Sequence, residues 1–359
     1  MKPETLITRR EFLKLSGMFL GAMMLPRPEG VFAAAAGQFP QAEKIGRICV
    51  GMEGAWFKLK TEPNVNAPEA GTVWRDDVLI WNREVVANQL DLNVYNQRWV
   101  ETPGGYLQSS MVQPVKNLPN QPLQALPVNP DGSLGMWVEI TVPLADIKPS
   151  RIPAASYWIR EVNKPRVYYS QVFWAYDIRQ ENGVTEYLLT EKWGAEPDSY
   201  WVDASACRPI TASEIGPIHP DAGDKLIRVN MNYQTLSCLE GGREVYFCEV
   251  STGGAATTPL GTTLIWRKMI STHMSAGGLV AYDTGGIGWT TLIHGEGSAI
   301  HAAFWHNNFG TALSHGCVNC LPEDAKWIWR WANPVVAYYP GELTVTDGGK
   351  NSTRVEVYT

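Results

Sequence analysis

The sequence has fewer basic than acidic residues and, beyond residue 36, no long apolar stretch. Its formal net charge is −6 and its pI is about 5.6, so we expect no general attraction to nucleic acid or to anionic membranes. No later segment holds about 18 uninterrupted apolar residues, the length that a membrane-spanning helix needs. We therefore expect no nucleic-acid partner and no integral membrane span in the mature chain.

Residues that commonly bind metals are also few. The chain has six His and six Cys, and no second Cys/His pair lies at zinc-finger spacing. Cys317 and Cys320 form a Cys-x-x-Cys sequence, but no thioredoxin-like βαβ pattern surrounds them, so a redox role is the weaker interpretation. We expect neither a metal nor an organic cofactor.

Residues 1–36 have the pattern of a twin-arginine signal peptide. Arg9 and Arg10 precede an apolar run at 15–25 that is too short to cross a bilayer, and four alanines at 33–36 suit signal cleavage. A helical membrane anchor is the alternative. The pattern predicts export by the twin-arginine route to the cell wall, the periplasm or the extracellular space. Such export implies folding before translocation, so the fold should not depend on disulfides.

Short strand-like runs dominate the chain and predict a mainly β protein. The runs before residue 200 are at 47–52, 78–81, 137–142, 167–178 and 187–189. Fifteen Trp favour core packing in small β domains, with stacking on sugar rings or bound peptide as the alternative. Five prolines between Pro114 and Pro130 indicate a linker or an extended crossover.

The mature chain is expected to have three units. Residues 37–130 are predicted to form a β module with a proline-rich linker, 131–222 a second β module, and 223–359 a third unit. Both modules resemble bacterial SH3-type modules, and irregular β segments without common ancestry are the alternative. The resemblance rests on segments 71–73, 98–101 and 105–107 of the first module and 200–203 of the second. The similar endings of the two modules suggest a weak internal repeat.

A cysteine after a His-Gly pair is the most informative feature of the sequence. Cys317 lies in the run Ser-His-Gly-Cys-Val-Asn at 314–319, and His301 stands 16 residues before it. A thiol nucleophile, a base and a glycine turn in one short span predict acyl transfer through a thioester. The N–H groups of Gly316 and Cys317 are expected to stabilise an oxyanion. A buried structural cysteine is the alternative.

A reduced, nucleophilic Cys317 leaves five other cysteines in a compartment that permits disulfides. Because five is odd, at least one of them must be unpaired or pair between molecules. Cys238 and Cys248 flank a hairpin signal at Gly241-Gly242. A symmetric turn there would pair Cys238 with Val245, so a disulfide between Cys238 and Cys248 is not favoured.

The cysteine motif resembles the signature of the L,D-transpeptidases, whose catalytic domain is also called YkuD. In that family a His precedes a Ser/Thr-His-Gly-Cys run that continues with a hydrophobic residue and then Asn or Arg. Family-like segments precede the motif in the family's order, at 227–236, 250–253 and 258–261. The resemblance covers roughly residues 223–346 and implies a β sandwich with one helix after the nucleophile. Pro322 and the Asn333-Pro334 pair predict the start and the end of that helix.

The resemblance assigns the proton acceptor to His301, oriented by the backbone carbonyl of Ala302. His294 is the competing base, but it lies 23 residues before Cys317, which is longer than usual. The resemblance also implies a set of cleft residues, for which core packing or a solvated loop is the alternative. Those near the turn and the oxyanion are Ser314, His315, Gly316 and Asn319. Those expected to bind substrate are Met274, His294, Trp305 and His306.

The resemblance implies a peptidoglycan L,D-transpeptidase. Cys317 would attack the carbonyl of the third stem-peptide residue and expel the terminal D-Ala, and an amine of a neighbouring stem would take the acyl group to give a 3→3 cross-link. His301 would remove the thiol proton and return one to the leaving amine. The alternatives are an L,D-carboxypeptidase, in which water resolves the acyl-enzyme, and a non-catalytic wall-binding protein. The expected partners are peptidoglycan stem peptides, on which the two upstream modules would position the enzyme.

Overall fold

The computed structural model describes residues 39–92, 94–191, 198–276, 282–295 and 297–359. The expected signal peptide, with Arg9 and Arg10, lies outside these described residues. Strands dominate the described chain, which confirms the prediction of a mainly β protein. Neither of the two α-helices in the described ranges is long and apolar enough to cross a membrane.

The first unit consists of two small sheets that enclose an apolar core. Val100, Val112 and Ile48 are fully buried between the sheets. The strand orders are β4-β1-β8 and β3-β2-β7-β6-β5. These strands are β1 (Ile45–Ile48), β2 (Trp56–Lys60), β3 (Glu69–Trp74), β4 (Val78–Ile80), β5 (Arg83–Val86), β6 (Arg98–Thr102), β7 (Gly105–Gln108) and β8 (Val112–Val115).

The proline-rich segment after β8 lies against the second unit as an extended crossover. The Leu118 N–H donates to the Thr141 carbonyl at 2.9 Å, and Asn120 N–H donates to the Ser205 carbonyl at 2.7 Å. Leu126 is buried in the core of the second unit. The segment therefore packs as part of that unit, although the sequence pattern grouped it with the first.

The second unit is one seven-stranded sheet of order β11-β10-β14-β13-β12-β9-β15. The predicted single strand at 167–178 is wrong, because Ser170 takes a left-handed φ of 71° and its N–H donates to the Ile140 carbonyl at 2.8 Å. The chain turns there and starts a new strand. The elements are β9 (Met136–Ile140), β10 (Leu144–Pro149), α1 (Tyr157–Arg160), β11 (Arg166–Tyr168), β12 (Val172–Glu181), β13 (Val184–Thr190), β14 (Ser199–Asp203) and β15 (Cys207–Pro209).

The two upstream units end in the same way. In the first, a single 3₁₀ turn at Ser109–Met111 joins β7 to β8. In the second, a 3₁₀ turn at Ala204–Ala206 joins β14 to β15. This shared strand–turn–strand ending falls where the sequence suggested a weak repeat.

The third unit consists of two five-stranded sheets and a helix. The sheet orders are β18-β17-β16-β25-β19 and β23-β22-β21-β20-β24. The elements are β16 (Lys225–Asn230), β17 (Thr235–Glu240), β18 (Arg243–Glu249), β19 (Gly261–Leu264), β20 (Arg267–Ala276), β21 (Tyr282–Leu292), β22 (Ala299–Ala302), β23 (Val318–Cys320), α2 (Pro322–Trp331), β24 (Glu342–Thr344) and β25 (Arg354–Tyr358). Helix α2 confirms the helix predicted after the cysteine motif.

The predicted hairpin joins β17 to β18, with Gly241 and Gly242 both at positive φ. Such a two-residue turn matches the twist of the flanking strands. The predicted pairing of Cys238 with Val245 is wrong by one residue, because a bulge makes Tyr246 its partner. All six cysteines are free thiols in this structure.

Two lysines stabilise the carboxyl end of α2. Lys225 Nζ donates to the Trp331 carbonyl at 2.8 Å, and Lys268 Nζ donates to the carbonyls of Ala332 and Pro334. Cations at a helix C-terminus also interact favourably with its dipole. Burial holds the pKa of Lys268 well below its ordinary value, and the Lys225 charge adds to the effect.

The largest hydrophobic core crosses the expected boundary near residue 222. Trp137 and Val172 of the second unit are fully buried in the same cluster as Ile227 and Trp329. Between the two units, Gln171 Nε2 donates to the Gly285 carbonyl at 2.6 Å. The second unit is therefore packed onto the strands that carry the candidate site.

Candidate active site

The pairing of two neighbouring parallel strands places the predicted base and the predicted nucleophile on one face of a sheet. In the pairing of β22 with β23, His301 lies opposite Asn319, two residues beyond Cys317. The alternate residues of these strands, such as Ile300 and Val318, are buried in the main core. Because side chains alternate between the two faces of a sheet, His301 and Cys317 share the opposite face, away from that core.

His301 is held in one orientation by its own strand. Its ring is buried, and Nδ1 lies 3.0 Å from the Ala302 carbonyl oxygen. Because a carbonyl can only accept, Nδ1 must carry the proton, which leaves Nε2 unprotonated in the neutral ring. Burial lowers the pKa of His301 to about 4. The ring is therefore neutral, and able to accept a proton, at physiological pH.

Cys317 is half-buried and packs against an apolar cluster that includes Met269 and Leu292. Its Sγ lies 3.9 Å from the Gly297 carbonyl oxygen. Burial raises the pKa of the thiol, and the Ala299 backbone N–H opposes that rise. The resting group is thus a thiol and not a thiolate, so nucleophilic attack needs a base.

The turn before Cys317 is closed by the Ser314 side chain. Ser314 Oγ donates to the Cys317 carbonyl at 2.5 Å and accepts the Gly316 N–H at 3.1 Å. Gly316 takes a φ of 140°, which side-chain-bearing residues rarely adopt. Its N–H is engaged inside the turn by the Ser314 hydroxyl.

Part of the chain that contains this site matches a known domain. Residues 224–357 match YkuD, the L,D-transpeptidase catalytic domain. The match lies within the third unit and contains both His301 and Cys317. No curated protein matches the chain.

Several solved L,D-transpeptidases are similar to parts of the chain. A mutant enzyme from Enterococcus faecium is 21% identical, with 39% of this chain and 52% of that chain covered and a TM-score of 0.30. An enzyme from Mycobacterium smegmatis is 14% identical, with 62% and 99% covered and a TM-score of 0.31. One from Mycobacterium tuberculosis is 17% identical, with 53% and 90% covered and a TM-score of 0.30. The chain spans about half the length of the Enterococcus faecium chain.

The β20–β21 hairpin of the YkuD domain approaches the cysteine turn. Tyr282, at the start of β21, stacks on the exposed His315 ring with centroids 5.2 Å apart. Burial raises the pKa of Tyr282, and the nearby Cys317 adds to the rise. Met274, on β20, packs in the apolar cluster that contains Cys317. Tyr282 was missed by sequence reasoning, since its position 35 residues before Cys317 carries no local signal.

His306, which the resemblance places in the cleft, is buried and hydrogen-bonded to its neighbours. The ring is 8% exposed, Nδ1 accepts the Asn308 N–H at 3.2 Å, and Nε2 lies 3.0 Å from the Asn319 amide. Burial lowers its pKa to about 4, and repulsion from His301 when that ring is protonated adds to the effect. The hydrogen bond between Asn319 and His306 therefore holds both side chains in place beneath the site. Trp305, which is half-buried, instead lies beside the His301 ring at 5.8 Å between centroids.

His294 lies in the turn between β21 and β22 of the YkuD domain. Its carbonyl accepts the Trp266 indole N–H at 3.1 Å and the Gly297 N–H at 3.1 Å. That turn is next to the nucleophile, since the Gly297 carbonyl approaches Cys317. His294 is thus near the site, but it is not on the strand whose pairing aligns His301 with the cysteine strand.

Metal ligands are not clustered at this site. Within the described ranges, no group of three or more His, Cys, Asp and Glu side chains is arranged to hold a metal ion. The polar groups next to Cys317 are the Gly297 carbonyl, the Ala299 backbone N–H and the Ser314 hydroxyl, and His301 lies on the same face of the sheet. This set suits proton transfer and oxyanion stabilisation.

Proposed function

We propose that this protein is a peptidoglycan L,D-transpeptidase that works through a Cys317 acyl-enzyme. The observation that carries the proposal is the neutral, backbone-oriented His301 on the strand paired with the one that follows Cys317. Such a nucleophile and base are what acyl transfer through a thioester requires. The match of residues 224–357 to the L,D-transpeptidase catalytic domain supports the same activity.

In the proposed reaction, Cys317 attacks the carbonyl of the third stem-peptide residue while His301 Nε2 takes the thiol proton. The Cys317 N–H stabilises the tetrahedral oxyanion, and His301 then protonates the amine of the departing D-Ala. The amine of a neighbouring stem attacks the thioester, gives its proton to His301 and forms the 3→3 cross-link. Cys317 leaves as the thiol and the enzyme is regenerated.

The upstream units are proposed to be SH3-like modules that bind the cell wall. Their support is the strand–3₁₀ turn–strand ending that recurs at Ser109–Met111 and Ala204–Ala206. Binding is tested by sedimenting the inactive Cys317→Ala protein with purified peptidoglycan. If this full-length variant stays in solution, the wall-binding role is wrong.

Export by the twin-arginine route is proposed from Arg9 and Arg10, which lie outside the described residues. Since the substrate lies outside the cytoplasm, the enzyme must reach it by some export route. The double change Arg9→Lys and Arg10→Lys should leave the precursor in the cytoplasm. Unchanged export of this variant would show that another route is used.

The activity is tested by mass spectrometry of muropeptides after incubation of purified wall with the mature protein. We expect dimers joined by 3→3 cross-links and released D-Ala. Tripeptide stems without dimers would mean that water resolves the acyl-enzyme, so that the protein is an L,D-carboxypeptidase. Unchanged muropeptides would refute both activities.

A further inference from the structure

The segment that follows the base is held by a different unit of the protein. Residues 303–310 leave β22 just after His301 and are joined to the catalytic unit at their two ends. The Ala303 N–H donates to the Cys320 carbonyl and the Gly310 N–H to the Val250 carbonyl, both at 2.9 Å. Between these ends, the Asn307 N–H and its Nδ2 donate to the carbonyls of Ser110 and Ser109 of the first unit, both at 3.1 Å.

Arg47, on β1, makes the strongest of these connections. Its guanidinium is 1% exposed, and Nη2 donates to the Phe304 carbonyl at 2.8 Å. The remaining donors bind Gln113 Oε1 at 2.8 and 3.2 Å and Asp76 Oδ1 at 3.1 Å. The guanidinium also lies 4.2 Å from the centroid of the Tyr168 ring. A planar fork with all these partners has little freedom to move.

Ring contacts connect this anchor to the base. The Phe304 ring packs edge-on against Trp305 at 5.1 Å, and Trp305 lies against His301 at 5.8 Å. On its other side Phe304 stacks on Tyr168 of the second unit at 5.9 Å. A shift of the Phe304 backbone would therefore move Trp305, the residue that covers the His301 ring.

We infer that Arg47 is a positioning residue for acylation of Cys317. It holds the Phe304 carbonyl so that Trp305 keeps His301 aligned and shielded from water. The first unit thereby completes the active site in addition to any role in wall binding. The inference rests on the proposed function, since acylation of Cys317 is the step that it concerns.

The test compares Arg47→Lys with Arg83→Ala in the full-length mature protein. Lysine keeps the charge beside Asp76 but lacks the fork that reaches Gln113 and Phe304 together. The acylating reagent is a carbapenem, which resembles the acyl donor, and the adduct on Cys317 is followed by intact mass. We expect Arg47→Lys to slow this acylation by about tenfold or more, as for a lost charge-assisted hydrogen bond. Arg83, on the first unit's surface and paired only with Glu101 among the described acidic groups, serves as the control and should not change the rate.

NMR of the histidine rings gives a second measurement, and a general loss of stability would not reproduce the result that we expect from it. The ring signals of His301 and His306 should shift in Arg47→Lys, whereas that of His219, exposed beside Glu240, should not. Should Arg47→Lys fail to fold, Asn307→Ala removes only the bond to Ser109 and should slow acylation in the same direction. If the wild type is acylated and folded variants react at its rate with unshifted signals, the positioning role is wrong. If the wild type is not acylated, the proposed function itself fails.

Discussion

Cys317 and Cys320 lie three residues apart and face opposite environments. Cys320, at the end of β23, is fully buried in the main core, and Cys317 packs against the apolar cluster of Met269 and Leu292 on the other side of the sheet. A hydrogen bond with the Cys248 side chain raises the pKa of Cys320, and burial adds to the rise. Only one of the two thiols is therefore placed to react.

This difference predicts the outcome of labelling with a carbapenem, which resembles the acyl donor. The wild type and Cys320→Ala should each carry one adduct by intact mass, because the change in Cys320 leaves the cleft face untouched. Cys317→Ala should carry none and should form no 3→3 cross-links. An adduct on folded Cys317→Ala would remove the basis of the proposed mechanism.

The strand pairing predicts that His301 and not His294 is the base. His301→Ala should lower the rate of Cys317 acylation by roughly 10²–10⁴-fold, the usual effect of losing a general base. His294→Ala, in the adjacent turn, is the matched comparison and should have a smaller effect. The rates are measured by quenching the reaction at set times and determining the fraction of acylated protein by intact mass. An equal or larger loss in a folded His294→Ala protein would reverse the assignment.

The turn geometry predicts a selective effect at Ser314. Ser314→Ala removes the bonds to the Cys317 carbonyl and the Gly316 N–H, each worth about 1 kcal/mol. Acylation should therefore slow by on the order of 10- to 100-fold. Ser314→Thr keeps the hydroxyl and should react at close to the wild-type rate. Similar rates for the alanine and threonine variants would show that the hydroxyl does not set the turn.

Glu191 predicts a pH dependence of stability. Its carboxyl is fully buried and accepts the Tyr200 hydroxyl at 2.8 Å, and burial raises its pKa from 4.5 to about 7. A raised pKa means that the folded state binds the proton more tightly. The stability that this group contributes is therefore complete below pH 4.5 and is lost as the pH rises to about 7.

At 1.36 kcal/mol per pKa unit, the loss from Glu191 is about 3 kcal/mol. Glu191→Gln cannot ionise, so its free energy of unfolding should fall less between pH 4.5 and 7 than that of the wild type. Urea unfolding at several pH values measures the difference between the two slopes. Burial is the main cause that raises the pKa of Asp324 to about 6. Because Asp324 is present in both proteins, its contribution to the pH dependence cancels when the two slopes are compared. Parallel curves would show that Glu191 does not ionise in this range.

Local pattern was sufficient for the mainly β character of the chain and for two features of the third unit. The Gly241-Gly242 turn and the proline at the start of α2 are signals within a few residues, and the structure contains both elements. It was less accurate where one backbone conformation decides the outcome. A single left-handed residue, Ser170, divided a predicted strand, and one bulge changed the partner of Cys238.

The sequence by itself determined the chemistry that we propose, since Cys317 and His301 stand in a short motif whose residue types suit acyl transfer. The tertiary structure decided the state of these groups, because the pKa values of His301 and Cys317 depend on burial by distant strands. It also decided that the upstream units are not separate from the site. Arg47 binds the Phe304 carbonyl from 257 residues away. A contact across that distance depends on how whole sheets pack, and no local periodicity encodes it.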